Sequence, residues 1–387
     1  MAFGILSSVG LKLDNQRNTI VFGPNPQPEW VYSILGPLVQ WDSLHFLNIA
    51  TRGYDSVLEH AFLPGLPIVM RLMSVVLPYY ATNPTLSVAL AGVLFVQLSF
   101  ILGALGLFKI SRFFLGDTAH AFRVTLFYIF ASSNVFMSAL YTESPFSMLT
   151  FWGIYWLYVR KRVWISVVLF SLSALFRSNG LLAAGFVIHE SLRNRRSFEG
   201  ILGALCVYLP YSLYSTWSYN LYCDVSIGGT RQDWCDSYPS IYVFIQKAFW
   251  NVSPFGYWKL SNLPYFLLMT PSLIVSIHGI HGFLRERSSI LRSLLMFEGP
   301  VIINIKRVVD IKELGFVCQM TILTILTVCI ANCQILTRIL SSCPLYFWSL
   351  ERLHRRASEP LRSIILAVNL GYYLIGPLLF GNGFNWT

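Results

Sequence analysis

Apolar stretches of roughly 17 to 25 residues recur along almost the whole chain, separated by a few polar or basic residues. Wound as a helix at about 1.5 Å per residue, such a stretch crosses the ~30 Å hydrocarbon layer of a bilayer. Lipid offers no partner for backbone N–H and C=O groups, so these stretches have to be helical. Of the 387 residues 55% are hydrophobic and only 12% charged, about half the charge of a soluble domain. The expected fold class is an all-α polytopic membrane protein.

Residues 1–40 read as an N-terminal tail: Met1 to Leu11 is too short to span, and Asp14 to Pro28 is polar and holds Pro24, Pro26 and Pro28. Residues 41–387 read as a single integral membrane domain. Within it 62–80 is apolar but broken by Pro64, Pro67, Arg71 and Pro78, and is expected to form a re-entrant or interfacial helix pair. Spans are expected near 84–108, 124–141, 144–159, 163–177, 180–192, 200–217, 263–283, 314–336, 337–350 and 361–381, with 163–192 and 314–350 read as bent helices or hairpins. The span count is bounded only between about eight and eleven.

The net charge of +10 does not point to nucleic acid, because the basic residues form short clusters between apolar segments rather than one patch. If the segments alternate and the loop at Trp41 faces a lumen, one set of loops holds Lys109, Arg112 and Arg123; Arg160 to Arg162; Arg193, Arg195 and Arg196; six residues from Arg285 to Lys312, Arg292 included; and Arg352, Arg355, Arg356 and Arg362. That is nineteen of the 28 Lys and Arg, a bias that makes this face cytoplasmic. Lys12 and Arg17 fall in the tail. The same parity puts the Trp41 loop, Tyr141-Thr142-Glu143, Arg177-Ser178-Asn179-Gly180, the loop 218–262, and Arg338 with Ser341 and Ser342 together on the opposite face.

An acid and a guanidinium converging on one face suit a phosphate-linked substrate: arginine offers a bidentate fork, and a carboxylate accepts a hydroxyl proton. Asp42 is the candidate general base, against the plain reading of a helix N-cap or interfacial charge. His45, three residues on, shares a helical face with it; it either orients the acid, binds substrate or is simply solvated. Glu143 sits at a helix start in apolar sequence, where an ionisable group is costly; the alternative is dipole stabilisation of the first turn. Arg177 and Arg338 either hold phosphate or snorkel to the interface. Trp234, Tyr238, Tyr242, Phe249, Trp250, Phe255, Tyr257 and Trp258 read as an interfacial belt or a surface on which sugars stack.

Of seven cysteines, Cys206, Cys318, Cys329, Cys333 and Cys343 lie in or beside apolar segments as small buried thiols. Cys223 and Cys235 share one polar loop and can pair if it faces an oxidising lumen. Asn251-Val252-Ser253 and Asn385-Trp386-Thr387 are glycosylation sequons. There is no phosphate-binding glycine loop, zinc-protease motif or metal-spaced Cys/His cluster.

Several motifs in order resemble the GPI mannosyltransferase II family from about residue 41 to the end. They are Trp41-Asp42 with His45-Phe46, Gly53-Tyr54 and Ala61-Phe62 with Pro64; Tyr141-Thr142-Glu143; Arg177-Ser178-Asn179-Gly180; Trp234-Cys235, Ile241-Tyr242, Ile245-Gln246 and Trp250-Asn251-Val252; Gln334 through Arg338; Tyr346-Phe347-Trp348; and Trp386-Thr387. Two departures stand out. The family's loop glutamate falls at Val57, with Glu59 two positions later, and the family's first spanning helix has no counterpart in 1–40, so the resemblance implies a truncated start.

The resemblance implies a GT-C-like multispan helical bundle with a catalytic loop at about 41–83, a large lumenal loop at about 218–262, and re-entrant or interfacial helices. It implies transfer of the second, α-1,6-linked mannose from dolichyl-phosphate-mannose to the Man1-GlcN-acyl-PI intermediate of GPI anchor assembly. The site would face the lumen of the endoplasmic reticulum. On that pattern Asp42 is the base, His45, Glu143, Arg177, Asn179 and Arg338 contact substrate or donor phosphate, and no metal or cofactor beyond the donor is required. The partners implied are the membrane, both lipid substrates and a small accessory membrane subunit. The competing classes are a lipid or sugar transporter, which would place ionisable groups mid-membrane in two related halves, and a non-catalytic membrane subunit.

Overall fold

The structure, a computed structural model, describes residues 29, 31–227, 231–290, 301–384 and 386. The tail through Pro28 with Lys12 and Arg17, Arg292, and the sequon residues Asn385 and Thr387 lie outside the described residues. Within them the regular structure is entirely helical.

Helix α1 (Asp42–Arg52) and α2 (Gly65–Ser74) precede α3 (Pro84–Leu115), then α4 (Thr118–Ile129), a short α5 (Asn134–Ser138) and α6 (Glu143–Ile154), which continues as a wider π turn over Tyr155–Val159. α7 (Val163–Ala174) is linked by a 3-10 turn, Ser178–Ala183, to α8 (Ala184–Arg193) and α9 (Ser197–Cys223). After the loop come α10 (Ile241–Trp250), α11 (Leu263–Glu286), α12 (Val301–Val309), α13 (Leu314–Cys329), α14 (Leu336–Leu340), α15 (Pro344–Arg356) and α16 (Glu359–Gly381). The long α3 starts at an Asn83 side-chain cap with proline behind it and ends at Gly116 in the left-handed region, φ 71°.

α3 packs along α2, α4 and α6; α6 packs on α7, α7 on α9, and α11 on α13 and α15. On α9, Ile201, Leu205, Leu209 and Leu213 form an exposed stripe at four-residue spacing, each more than half exposed. Water would penalise such a face and lipid does not. The chain is an all-α multispan membrane protein.

Among the described residues three helices are long and apolar enough to cross a bilayer: Pro84–Leu115, Leu260–Glu286 and Glu359–Gly381. A fourth results if Ile303–Val309 and Leu314–Cys329, bent by 81°, count as one. Most of the other apolar segments fold as shorter helices that end at turns, while the expected 200–217 span lies within the 27-residue α9. The expected span 124–141 breaks after Ile129 and resumes as α5, and 62–80 holds one helix followed by turns rather than a pair. The 163–192 and 314–350 stretches are bent as expected, and the 218–262 loop is partly helical, since α9 runs to Cys223 and α10 lies within it.

Candidate active site

The turn that follows α7 is clamped from both sides. Gly65 N–H donates to Leu175 O at 2.9 Å. A β-carbon on Gly65 would meet that same oxygen at 2.8 Å, and one on Gly180 would meet the Cα of Ala174 at 2.8 Å. Only glycine lets backbone approach this closely. The result is a fixed, extended Arg177 (φ −149°, ψ 138°) between α7 and the 3-10 turn.

Arg177 and Arg338 converge on one carboxylate. Arg177 Nη1 lies 2.7 Å from Glu143 Oε1, and Arg338 Nε donates to the same oxygen at 2.7 Å. Glu143 is fully buried at the first turn of α6, and its Oε2 has no hydrogen-bond partner. A lone buried carboxylate would cost several kcal/mol; two guanidinium groups and the helix N-terminus make this one tolerable. Arg177 also donates to Thr142 Oγ1 at 3.3 Å. The Arg338 guanidinium lies over the rings of Phe136 and Tyr141, at 4.3 and 5.1 Å from their centroids.

Asp42 enters from a separate element. Trp41 takes φ 55° and ψ −120°, a conformation costly for a non-glycine residue. The reversal it makes starts α1 at Asp42, whose backbone N–H donates to Tyr141 Oη at 3.1 Å. The Asp42 carboxylate is 40% exposed and stands 3.6 Å from Arg338 Nη2. Asp42, Glu143, Arg177 and Arg338 together carry no net charge.

Asp42, Arg177 and Arg338 border a cavity of about 370 Å³, whose lining also includes Phe62, Thr142 and Asn179, Tyr242, Gln246 and Trp250 of α10, and Asn332 and Gln334. The one-face convergence expected of the Trp41, Tyr141 and Arg177 stretches, the 218–262 loop and Arg338 is thus met in the cavity. Ser341 and Ser342 are buried and do not line it.

Two expected site residues sit elsewhere. His45 stacks on Phe62 at 4.6 Å between centroids rather than lining the cavity, because its helical face turns toward that ring. Glu143 lies behind the arginines and does not reach the cavity; an anion there repels phosphate and serves instead to hold the two cations.

Glu59 is structural. Its Oε2 accepts from the N–H of Asp55 and of Ser56, closing a capping box, and its Oε1 accepts from Asn48 Nδ2 at 2.6 Å. Cys223 and Cys235 are joined, with Cα atoms 5.7 Å apart.

The aromatic run divides three ways. Trp234 stacks on Phe244 at 4.9 Å beside the disulfide, Tyr242 and Trp250 line the cavity, and Phe249, Phe255 and Trp258 are exposed. Among the described residues no three His, Cys, Asp or Glu groups come together as metal ligands. Sequence reasoning gave Gln246 only as part of the Ile245-Gln246 motif, with no cavity role, and passed over Asn332, whose one signal was an amide between Ala331 and Cys333.

Fold and site define a membrane-embedded protein with an exposed carboxylate and a cationic pair bordering one cavity. The chain belongs to the mannosyltransferase (PIG-V) family, which it matches over residues 27–387. It is 28% identical over 277 residues to the GPI mannosyltransferase 2 of Cryptococcus neoformans, covering 66% of this chain and 65% of that relative's length. It is 27% identical to the GPI alpha-1,6-mannosyltransferase 2 of Cricetulus griseus, over 382 residues, and to that of Homo sapiens, over 383; each match covers 86% of this chain and 76% of the relative. No solved structure matches the chain.

Proposed function

We propose that this chain is the α-1,6-mannosyltransferase that adds the second mannose to the GPI precursor Man1-GlcN-acyl-PI. Its donor is dolichyl-phosphate-mannose, and it works from the lumenal side of the endoplasmic reticulum membrane, with or without a small accessory subunit. The observation that carries this reading is an exposed carboxylate, Asp42, 3.6 Å from one of two buried arginines that share a single glutamate oxygen. Family membership supplies the sugar.

The acceptor hydroxyl oxygen attacks the anomeric carbon of the donor mannose. The bond from that carbon to the phosphate oxygen breaks, its electron pair leaving with dolichyl phosphate, and the hydroxyl proton passes to Asp42. Attack opposite the leaving group inverts the donor's β linkage to α. The leaving phosphate is already anionic and needs charge stabilisation more than a proton, which fixed guanidinium groups provide without reorganising. Each guanidinium has five N–H donors; Arg338 spends two nitrogens on protein and Arg177 one. Donor phosphate arriving at the pair competes with Asp42 for Arg338, and it places a negative charge beside the base as the proton is transferred.

The test is complementation of cells lacking the second GPI mannosyltransferase, scored by surface GPI-anchored protein. The intact chain is expected to restore the signal, while Asp42→Asn, made at equal level, is expected to lose about 10²-fold or more in transfer. Equal rescue by both would overturn Asp42 as base, and no rescue by either would favour the non-catalytic reading.

A further inference from the structure

The cavity lining is of two chemistries, and the mechanism above uses only the charged part. Another part of the lining comes from α10 and the link at 331–335 and is neutral: Tyr242, Gln246, Trp250, Asn332 and Gln334. Two of its polar groups are already committed to the protein, Tyr242 Oη to Ser178 Oγ at 3.0 Å and Gln334 Oε1 to Tyr257 Oη at 2.8 Å.

Gln246 and Asn332 are different. Both side chains line the cavity half-buried, and neither amide bonds to another group of the protein among the described residues. Open to the cavity and not committed to the protein, both amides are free to bond a ligand or water there. A primary amide donates and accepts side by side and carries no charge, so it suits a neutral hydroxyl pair and has no particular affinity for phosphate. Trp250 adds an apolar ring surface to the same lining and meets the Phe62 ring edge-on at 6.5 Å. This lining is also built to stay put, since α10 packs on the Val57–Ala61 turn and is backed by the Trp234–Phe244 stack and the Cys223–Cys235 bond.

We propose that Gln246 and Asn332, which line the cavity together with Trp250, are the subsite for the hydroxyl groups of the acceptor's sugar, while the arginine pair takes the donor phosphate. This rests on the transferase reading above and assigns the acceptor side of it.

The experiment uses the full chain in detergent with dolichyl-phosphate-mannose and the Man1-GlcN-acyl-PI glycolipid, varying each in turn, and repeats the series with acceptors deoxygenated one hydroxyl at a time on the mannose. Gln246→Leu and Asn332→Leu are each expected to raise the acceptor KM about tenfold, the effect of one lost hydrogen bond, with donor KM and kcat within about twofold. One deoxy acceptor is expected to bind the intact protein about tenfold worse yet bind one leucine variant no worse than the natural acceptor does. Gln246→Asn and Asn332→Gln keep the amide but move it, and are expected to raise acceptor KM without lowering the melting temperature.

Acceptor and donor KM rising together would overturn the assignment, as would an unchanged acceptor KM or a deoxy penalty that persists in every variant. Transfer by the intact protein with any of these results removes only this subsite. Absence of transfer removes the transferase reading, and this subsite with it.

Discussion

Helix α6 with its π extension carries a buried glutamate cluster at each end, and the two are built differently. At the start of the helix, Glu143 gives one oxygen to both Arg177 and Arg338 and leaves the other unpaired. Just past the far end, Lys161 reaches Glu190 Oε1 at 2.7 Å, Asn194 reaches the same oxygen at 3.0 Å, and Arg193 takes Oε2. Both carboxylates are essentially buried. Burial therefore does not separate them. Glu190 has both oxygens occupied, and the lysine that completes it is 57% exposed away from the core, so the cluster acts as a staple between the end of α6 and α8. Glu143 holds two cations that face a cavity with donors to spare. In an ion cluster, function is read from what the partners have left over.

Exchanging each carboxylate for an amide tests that contrast most severely. Glu143→Gln leaves two buried guanidinium groups around a neutral oxygen. It is expected to cost about 3–5 kcal/mol of stability and to lower mannosyl transfer by about 10²-fold or more in the fraction that stays folded. Glu190→Gln is expected to cost less, on the order of 1–2 kcal/mol, because one of its two cations, Lys161, is solvated and only Arg193 is left largely buried, and to leave kcat unchanged. Melting temperature in detergent and transfer per folded molecule separate the two effects. Equal losses of transfer at both ends would mean that the Glu143 cluster is a staple as well.

Much of this contrast was legible in the chain. Basic residues at segment ends placed Asp42, Glu143, Arg177 and Arg338 on one face, because the positive-inside bias needs no coordinates. The division of labour was not legible. That Glu143 faces the arginines and not the cavity, and that His45 turns to Phe62, depends on side-chain direction along helices whose rotation is set by packing. Gln246 and Asn332 left little trace, since an amide in an apolar helix or a short link looks the same whether it meets solvent, backbone or ligand. The breaks within the apolar stretches were not legible for a related reason: periodicity marks such stretches but not the turns after Ile129 and Ala174 that interrupt them.

The disulfide sharpens the comparison from the cavity side. Cys223 and Cys235 close a loop of about a dozen residues behind the α10 wall, and Cys223→Ser is expected to remove about 2–4 kcal/mol of stability. The loss should be local, raising exchange of α10 backbone amides and the acceptor KM, while amides of α8 around Glu190 keep their protection. Loosening of both ends together would mean that the two clusters are not independent units.

The smallest expected effect distinguishes the two ends by pH. His60, on the turn that α10 packs against, is buried, stacks on Tyr54 at 4.5 Å and places Nδ1 3.1 Å from Tyr214 Oη, with Nε2 unpartnered. Burial pushes its pKa from the ordinary 6.5 down to about 4, because the charged ring would lose its hydration. The unfolded chain therefore takes up a proton as pH falls through about 6.5, whereas the folded chain does not until about 4. The contribution of His60 is present in full above that upper value. It is lost progressively as the pH drops through the window, by on the order of 2 kcal/mol, and levels off below it. His60→Phe keeps a flat ring against Tyr54 and removes the titration, so the part of the acid sensitivity that comes from this wall should vanish, while Glu190→Gln should leave it in place. A melting temperature that falls equally across that window in the intact protein and in His60→Phe would assign the acid sensitivity to groups other than His60.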